Sequence, residues 1–220
     1  MHVDLLVPVK PLARAKTRLR GVADGGAGAP EAHARLVLAL ARDTFAAAAG
    51  AAAVRRAVAI CSDEEVRTAL AGDGVQVIPD EPAAGLNPAL RYGEAVLRTA
   101  DPTTTVGVLQ ADLPALSPEE LDCAIRHGLA TGGRAFCTDR TGTGTTLLLA
   151  PPGQPLAPCF GVGSAAAHRA TGARELSGSW PGLRCDVDTA ADLAVARGLG
   201  LGRFTRAALS RPGFDACPPG

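Results

Sequence analysis

The sequence predicts an α/β fold in which a mostly parallel, mixed sheet carries helices on both faces. Short apolar runs alternate with segments of helical periodicity along the 220 residues, and no internal repeat is visible. The clearest run spans 104–116: its Val- and Leu-rich part ends at Asp112, and Pro114 prevents the strand from continuing. An almost continuous apolar run followed by a helix start is typical of a central parallel strand that is buried on both faces.

The first half of the chain alternates strands and helices. Strands are predicted over 3–9, 57–60 and 75–78, and a long helix over 31–49 follows a flexible Gly/Ala-rich surface loop at 21–30. Ser62 and Glu65 predict a capping box for the second helix. Asn87 predicts the N-cap of a third helix that has Pro88 at its first position and ends near Thr99.

The second half departs from the parallel pattern. Ser117, Pro118 and Glu120 predict the N-cap, first residue and capping box of a helix after the central strand. Segments 135–139 and 145–150 predict an antiparallel hairpin, followed by a proline-rich surface loop at 151–158 and a short helix from 165. A last strand is predicted at 183–186, and Thr189 with Asp192 caps a final helix. We therefore expect one domain over 1–209 and a disordered tail over 210–220.

Composition limits the classes of partner. The net charge of +0 argues against nucleic acid or an anionic membrane as the main partner. No segment has the length and polarity of a membrane span, and the first ten residues do not form a secretory signal. The cysteines show neither CxxC pairs nor metal-ligand spacing, and we expect buried thiols rather than disulfides at Cys61, Cys123, Cys137, Cys159, Cys185 and Cys217. These features predict a cytoplasmic protein.

A basic loop follows the first strand. Lys10 and Lys16 are the only two lysines in the chain, and Arg14 and Arg18 lie beside them. Four cations at this place predict a cradle for a triphosphate, although a solvated basic loop is the alternative. Neither GxxxxGK[ST] nor GxGxxG is present, so the site must depend on side chains and a metal ion.

Two further segments carry candidate site residues. Asp112 lies just past the carboxyl end of the central strand, where open α/β sheets bind ligands. Burying its carboxylate costs on the order of several kcal/mol unless a cation offsets it, so we predict a divalent-metal ligand; a turn cap is the alternative. Gly161, Gly163 and Ser164 precede the short helix and could offer N–H and hydroxyl groups to an anion, or Ser164 could simply cap it.

Six motifs in order extend over most of the chain. They are VPVKPLARAKTRL at 7–19, GLNPAL at 85–90, ADLPAL at 111–116, DRTGTGTT at 139–146, FGVGSAAAH at 160–168 and DVDTAADL at 186–193. In this order they resemble the guanylyltransferases of deazaflavin coenzyme F-420 biosynthesis. Archaeal members of that family act on 2-phospho-L-lactate, and the similar actinobacterial enzyme acts on phosphoenolpyruvate.

The resemblance implies a Rossmann-like nucleotidyltransferase fold of the GT-A/MobA-like type and a set of site residues. Asp112 with the Asp186/Asp188 pair would hold Mg²⁺. Asp188 aligns better with related nucleotidyltransferases, and Asp186 remains an alternative metal ligand. Asp112 and Lys16 would be catalytic. Thr146, Gly161 and Ser164 would bind the acceptor. Nucleotide-binding residues would be Lys10, Lys16 and Arg18 for the triphosphate, with Asp80, Gly85 and Asn87 in the base and ribose pocket. Ala190 stands where the family pattern has proline.

The expected reaction condenses GTP with phosphoenolpyruvate to enolpyruvoyl-2-diphospho-5'-guanosine and pyrophosphate. A phosphate monoester has a second pKa of about 6, so it attacks without a protein base and the four histidines need no catalytic role. The Ala-, Gly- and Arg-rich residue usage suits an actinobacterial source and hence phosphoenolpyruvate. Acceptors left open are 2-phospho-L-lactate and 3-phosphoglycerate. A downstream transferase of the pathway is a candidate partner, and no oligomeric state is indicated.

Two other classes of protein remain as alternatives. A nucleotide-sugar glycosyltransferase has a similar fold but usually carries a DxD motif at the central strand, where this chain has Ala111-Asp112-Leu113. A non-catalytic nucleotide-binding module is the third class. Magnesium-dependent release of pyrophosphate from GTP and an acceptor would distinguish a guanylyltransferase from both of these classes.

Overall fold

A computed structural model describes residues 2–12 and 15–210. Within them, one seven-stranded sheet has the order β3-β2-β1-β4-β6-β5-β7. The strands are β1 Val3–Pro8, β2 Val54–Ile60, β3 Gln76–Ile78, β4 Thr105–Leu109, β5 Ala135–Thr138, β6 Thr145–Ala150 and β7 Arg174–Glu175. The helices are α1 Pro30–Gly50, α2 Glu64–Gly72, α3 Leu86–Ala100, α4 Pro118–Leu129, α5 Ser164–Ala170, α6 Pro181–Arg184, α7 Ala190–Leu199 and α8 Arg203–Ser210, with one 3₁₀ turn at Thr17–Leu19.

The sheet is mixed in the predicted way. β1 pairs in parallel with β2 and β4, and β3 extends the parallel part beyond β2. β6 runs antiparallel between β4 and β5. Because β6 is reversed, its first residues meet the last residues of β4, and the Gln110 N–H donates to the Thr146 carbonyl at 2.9 Å. We call this edge, where β1 to β4 end, the carboxyl edge.

Both faces of the sheet are covered, as the apolar runs predicted. Every residue of β4 is buried. On one face Leu5 and Leu149 pack with residues of α1 and α4. On the other face Leu6, Val108 and Leu148 pack with residues of α3 and α5. The predicted α/β fold with a helical layer on each face is confirmed. Among the described helices, none combines the length and the apolar character that a membrane crossing requires.

Two predicted capping boxes differ from the structure. Asp63, not Ser62, caps α2, and its carboxylate accepts hydrogen bonds from the Glu65 and Val66 N–H groups at 3.0 and 3.3 Å. Ser117 caps α4 as predicted. The Glu120 carboxylate, however, turns away from the helix start and accepts from the Gly182 and Leu183 N–H groups of α6. A long-range partner therefore replaces the local one in this box.

The predicted N-cap role of Asn87 is wrong. α3 already begins at Leu86, and Gly85, with φ 104°, occupies the cap position that favours glycine. The Asn87 side chain instead makes two hydrogen bonds to the backbone of Phe160: its Oδ1 accepts from the Phe160 N–H at 2.8 Å, and its Nδ2 donates to the Phe160 carbonyl at 2.9 Å. Asn87 thus ties the start of α3 to the segment that precedes α5.

The predicted last strand at 183–186 is also wrong. Leu183 lies in the short helix α6. Pro181 presets a helical φ in the first turn of α6, and the Glu120 carboxylate accepts from N–H groups at the start of α6. Gly182 is needed here, since a Cβ would collide with the Ala115 carbonyl. Trp180, which is 4% exposed, precedes this helix and contacts the Arg184 guanidinium and the His127 ring. The seventh strand is the two-residue β7, which carries no clear sequence signal.

Three further expectations concern the capping box of α7, the cysteines and the C-terminal tail. Thr189 and Asp192 form the predicted capping box of α7. Free thiols are described at Cys61, Cys137 and Cys185, which are buried, at Cys159, which is half-buried, and at Cys123, which is exposed. Cys217 and the predicted disordered tail, apart from Ser210 at the end of α8, lie outside the described residues.

The C-terminal helix α8, which the sequence reasoning missed, is attached to α1 by one carboxylate. Asp43 is 5% exposed and accepts hydrogen bonds from the Phe204 and Thr205 N–H groups at 3.0 and 2.8 Å. These are N–H groups at a helix start, which otherwise lack partners, and the helix dipole favours a negative charge there.

We expect Asp43→Ala to lower the free energy of unfolding by about 2–3 kcal/mol, because it leaves two N–H groups without an acceptor. Urea unfolding followed by circular dichroism measures this. The matched control is Glu64→Ala, whose carboxylate is 78% exposed beside Arg67 and which should change stability by about 0.5 kcal/mol or less. Equal effects of the two variants would contradict the role assigned to Asp43.

Candidate active site

A cavity opens at the carboxyl edge between β1 and β4. α1 forms its floor with Val37, Leu40 and Ala41. Its walls come from the end of β1, the segments after β1 and β4, and the segment before α7: Pro8, Val9, Lys10, Ala15, Lys16, Gln110, Ala111, Asp112 and Asp188. Residues distant in the sequence therefore meet where open α/β sheets bind their ligands.

Lys16 is the centre of this cavity. Its ammonium forms ion pairs with both Asp112 and Asp188. The side chains of Lys16 and Asp112 are 16% and 15% exposed, whereas that of Asp188 is 59% exposed. Burial alone would lower the pKa of Lys16, but the charge of Asp112 and hydrogen bonds to both carboxylates outweigh it and raise the pKa above its ordinary value. Lys16 is therefore a fixed positive charge.

The backbone around Lys16 is held from several sides. Lys16 itself has φ 52° and ψ 41°, a left-handed conformation that costs a non-glycine residue about 1–2 kcal/mol. Before it, the Ala15 carbonyl accepts a hydrogen bond from His33 Nε2 of α1 at 2.8 Å, and the Leu12 N–H donates to Asp63 at 3.1 Å. Strain that is maintained by the surrounding contacts is typical of functional sites.

α1 and the 186–188 segment position Asp112. The buried Thr44 hydroxyl accepts from the Leu113 N–H at 3.0 Å, and its one proton is shared between the Ala111 and Leu40 carbonyls, each at 3.1 Å, so it contacts the backbone on both sides of Asp112. The Val187 N–H donates to the Asp112 carbonyl at 3.0 Å. This bond places Asp186 and Asp188 beside Asp112, although 74 or more residues separate them in the sequence.

The carboxylates fit a hard divalent cation. Asp112 Oδ1 is buried and has no hydrogen-bond partner among the described residues. Burial raises the pKa of Asp186 to about 7, and the negative charges of Asp112, Asp139 and Asp188 add to the effect. Crowded carboxylates of this kind favour a cation with oxygen ligands.

The described residues do not form a complete metal cage by themselves. Among them, no three His, Cys, Asp or Glu side chains lie close enough to enclose an ion. Asp112 and Asp188 meet at the Lys16 ammonium instead. Mg²⁺ is commonly bound by one or two carboxylates, with substrate phosphates and water as the remaining ligands, and the site fits that type.

The predicted acceptor residues lie on the β6 side of the carboxyl edge. Thr138 pairs with Thr145 whereas Cys137 pairs with Leu147, so Thr146 is an extra residue in a β-bulge. Thr146 is 1% exposed, and its hydroxyl has no partner in the described part of the chain. Ser164 does not cap α5, because Gly163 occupies that position and the Ser164 hydroxyl donates to Thr145 Oγ1 at 3.2 Å. Gly161, with φ 144°, is exposed in the preceding turn.

The predicted nucleotide residues are only partly brought together. Lys10 and Lys16 line the cavity, but Arg18 is exposed on the 3₁₀ turn and does not line it. Asp80, at the end of β3, has a buried and unpartnered Oδ1. Gly85 and Asn87 serve the start of α3 as described above, and neither lines the cavity. Arg14, the fourth cation of the basic loop, lies outside the described residues.

Sequence reasoning missed three residues that support the site. His33 holds the Lys16 loop, Thr44 holds the Asp112 segment, and His168 contacts Thr145 beside the predicted acceptor residues. All three are buried. His168 closes the FGVGSAAAH motif, and this was the one signal available from the sequence.

Comparisons with known proteins identify relatives that match most of the chain. The family of MobA-like NTP transferase domains matches residues 20–180. A relative from Geodermatophilus obscurus is 47% identical over 94% of this chain and 93% of its own length. One from Salinispora arenicola is 50% identical over 91% of this chain and 90% of its own length. Both relatives are named phosphoenolpyruvate guanylyltransferase.

Solved structures share the fold at lower identity. A nucleotidyl transferase from Methanothermobacter thermautotroptrophicus aligns with a TM-score of 0.64 at 17% identity, covering 90% of this chain and 97% of the other. A Mycobacterium tuberculosis protein solved as a complex with manganese aligns with a TM-score of 0.57 at 24% identity, covering 89% and 97%. These alignments support the fold alone.

The domain match covers most of the chain, and the two relatives are 47% and 50% identical over at least 90% of both chains. The six ordered motifs predicted the same family from the sequence. This chain belongs to the MobA-like NTP transferase family and, within it, to the family of the phosphoenolpyruvate guanylyltransferases.

Proposed function

We propose that this chain transfers the guanylyl group of GTP to the phosphate of phosphoenolpyruvate, in the pathway to coenzyme F-420. The products are enolpyruvoyl-2-diphospho-5'-guanosine and pyrophosphate. The observation that carries the proposal is the Lys16–Asp112–Asp188 cluster at the carboxyl edge, in a chain whose relatives bear the name of this activity over more than 90% of its length.

The reaction needs charge neutralisation more than acid–base catalysis. A phosphate oxygen of the acceptor attacks the α-phosphorus of GTP, a new P–O bond forms, and the bond to the β-phosphate oxygen breaks to release pyrophosphate. The second pKa of a phosphate monoester is about 6, so the acceptor is largely a dianion near neutral pH and needs no base. The main barrier is the approach of two polyanions.

The chain supplies two positive charges to the cavity. Lys16 is protonated, because its pKa is raised, and its ammonium can neutralise triphosphate oxygens when GTP enters. Lys10 lines the same cavity and carries the second charge. We propose that Mg²⁺ binds Asp112 together with Asp186 or Asp188, and that it would neutralise phosphate oxygens when bound. Arg18, Asp80, Gly85 and Asn87 remain candidates for the nucleotide side, and Thr146, Gly161 and Ser164 for the acceptor side.

Purified protein should release pyrophosphate from GTP and phosphoenolpyruvate only when Mg²⁺ is present. Asp112→Asn should abolish this turnover and keep the fold, because an amide preserves shape but loses the charge that holds the ion. Pyrophosphate release and product mass measure the reaction, with the exposed Glu119→Gln as a control of normal activity. A preference for 2-phospho-L-lactate or 3-phosphoglycerate as acceptor would reject phosphoenolpyruvate, and equal use of ATP would reject guanine selectivity.

Lys16→Ala should raise the KM for GTP or slow turnover by at least about tenfold, equivalent to about 1.4 kcal/mol. The physical reason is the loss of the charge that pairs with Asp112 and Asp188, which leaves Lys10 as the remaining lysine that lines the cavity. Steady-state kinetics in GTP measure it. Arg20→Ala removes an exposed charge four residues away and serves as the control. Unchanged kinetics in Lys16→Ala would mean that the loop is only a solvated surface.

Asp186→Asn should stabilise the metal-free protein at pH 8. The Asp186 pKa is about 7 in the folded chain and 3.8 ordinarily, so the folded state keeps a proton that the unfolded state loses. Stability therefore falls as pH rises from about 4 to about 7, by about 1–4 kcal/mol. The asparagine variant escapes this loss.

Urea unfolding in EDTA at pH 5 and pH 8 measures the difference between wild type and Asp186→Asn. Asp188→Asn is the matched control: its carboxylate is mostly exposed and paired with Lys16, so its removal should give no gain at pH 8. Parallel pH dependence in wild type and Asp186→Asn would show that Asp186 is not held in the crowded, half-buried state described above.

A further inference from the structure

A buried polar network lies beside the predicted acceptor residues and is not used by the proposed chemistry. His168, on α5, is fully buried. Its Nε2 lies 2.9 Å from the Cys159 N, and its Nδ1 lies 2.9 Å from Thr145 Oγ1. Both nitrogens of the ring are therefore occupied.

The partners of His168 determine where its proton lies. A backbone N–H can only donate, so Nε2 must accept from Cys159 and cannot carry a proton. The proton of the neutral ring is then on Nδ1, which donates to the Thr145 hydroxyl oxygen. The neutral state is consistent with the surroundings, because burial and the nearby Arg134 charge lower the His168 pKa to about 4.

The ring is also fixed in orientation. Phe160 packs edge-on against it with 4.9 Å between ring centroids, and Phe136 packs at 5.9 Å. Phe160 is itself held by the two backbone hydrogen bonds to Asn87. His168 therefore always presents the same N–H to Thr145.

Thr145 is left with a proton to donate. Its oxygen accepts from His168 and also from the Ser164 hydroxyl at 3.2 Å. A hydroxyl oxygen has two lone pairs and one proton, so both acceptor sites are used and only the donor remains. Among residues 2–12 and 15–210, no protein group accepts that proton.

The free donor lies in a place that suits a ligand. Thr145 is the first residue of β6 at the carboxyl edge, and the next residue, the bulged Thr146, is almost fully buried with a hydroxyl that also lacks a partner. A buried Thr145 proton without an acceptor, next to a buried Thr146 hydroxyl without any partner, is costly unless a ligand binds there. An anionic oxygen, which only accepts hydrogen bonds, is the complementary partner.

We propose that Thr145 binds an anionic oxygen of the acceptor substrate and that His168 is the positioning residue that keeps the Thr145 hydroxyl a donor. This inference rests on the proposed function for the identity of the acceptor. It gives a buried histidine a role in acceptor binding without any part in proton transfer.

Thr145→Val and His168→Leu should each raise the KM for phosphoenolpyruvate by about tenfold, the loss expected for one hydrogen bond to a charged group. The KM for GTP should stay within about twofold, because the nucleotide cavity is on the other side of β4. Thr145→Ser keeps the hydroxyl and should restore most of the acceptor affinity. Leu70→Ala removes buried apolar volume from α2, at a residue that lines neither the cavity nor the His168 network, and it should change stability but not the KM for phosphoenolpyruvate.

Two competitors identify the end of the acceptor that Thr145 meets. Inorganic phosphate carries only the phosphate group and pyruvate only the carboxylate. Weaker inhibition by either one in Thr145→Val, relative to wild type, supports the proposal and shows whether Thr145 binds the phosphate or the carboxylate of the acceptor. Unchanged inhibition by both overturns it.

A spectroscopic measurement tests His168 without catalysis. Long-range ¹H–¹⁵N correlation spectra of the wild-type protein at pH 7 should show a neutral His168 with its proton on Nδ1. A proton on Nε2, or a charged ring, overturns the proposal even if His168→Leu fails to fold. Absence of wild-type turnover would defeat the proposed function instead, whereas normal turnover with unchanged acceptor KM in Thr145→Val and His168→Leu defeats this inference alone.

Discussion

The Lys16 ammonium group holds together carboxylates that come from two distant parts of the chain. Asp112 follows the central strand and Asp188 precedes α7, and the ammonium offsets both the burial of the Asp112 carboxylate and its repulsion by Asp188. Much of the surrounding structure serves this pairing. His33 and Asp63 anchor the loop that carries Lys16, and Thr44 fixes the backbone at Asp112.

The reversed strand β6 determines what the carboxyl edge can hold. In a fully parallel sheet, only residues that follow strands would reach this edge. Because β6 runs the other way, its beginning lies there too, and Thr145 and Thr146 join the residues after β1 and β4. The edge thus has a charged half between β1 and β4 and a hydroxyl-rich half at β6. The charged half suits a triphosphate with its cation, and the hydroxyl-rich half suits a smaller anion.

Local patterns in the sequence were sufficient for the framework of this fold. The apolar runs gave the central strand and the hairpin, and the position of Asp112 after its strand followed from them. The pairing of Lys16 with Asp112 and Asp188 was not predicted, because neither periodicity nor capping rules specify contacts across the chain. The family resemblance added the acceptor residues, whose roles remain predictions.

The errors arose where a distant partner outweighed a local preference. Asn87 had a suitable position for an N-cap, but the Phe160 backbone offers it two hydrogen bonds. Glu120 binds α6 instead of its own helix start. The four residues at 183–186, in which apolar and charged side chains alternate, are too few to distinguish strand from helix, and Pro181 favours helix. The role of His168 depends on four segments meeting, and no single segment indicates it.

Trp180 gives this protein an optical property that follows from its composition. It is the single tryptophan in the chain, which also has only one tyrosine. The indole is buried at the start of α6, between the His127 ring and the Arg184 guanidinium. Arg184 also donates to the Thr138 carbonyl at the end of β5, where the hairpin begins. Tryptophan fluorescence of this protein therefore comes from one buried side chain, and its emission reports on the region between α6 and the hairpin rather than on an average over the molecule.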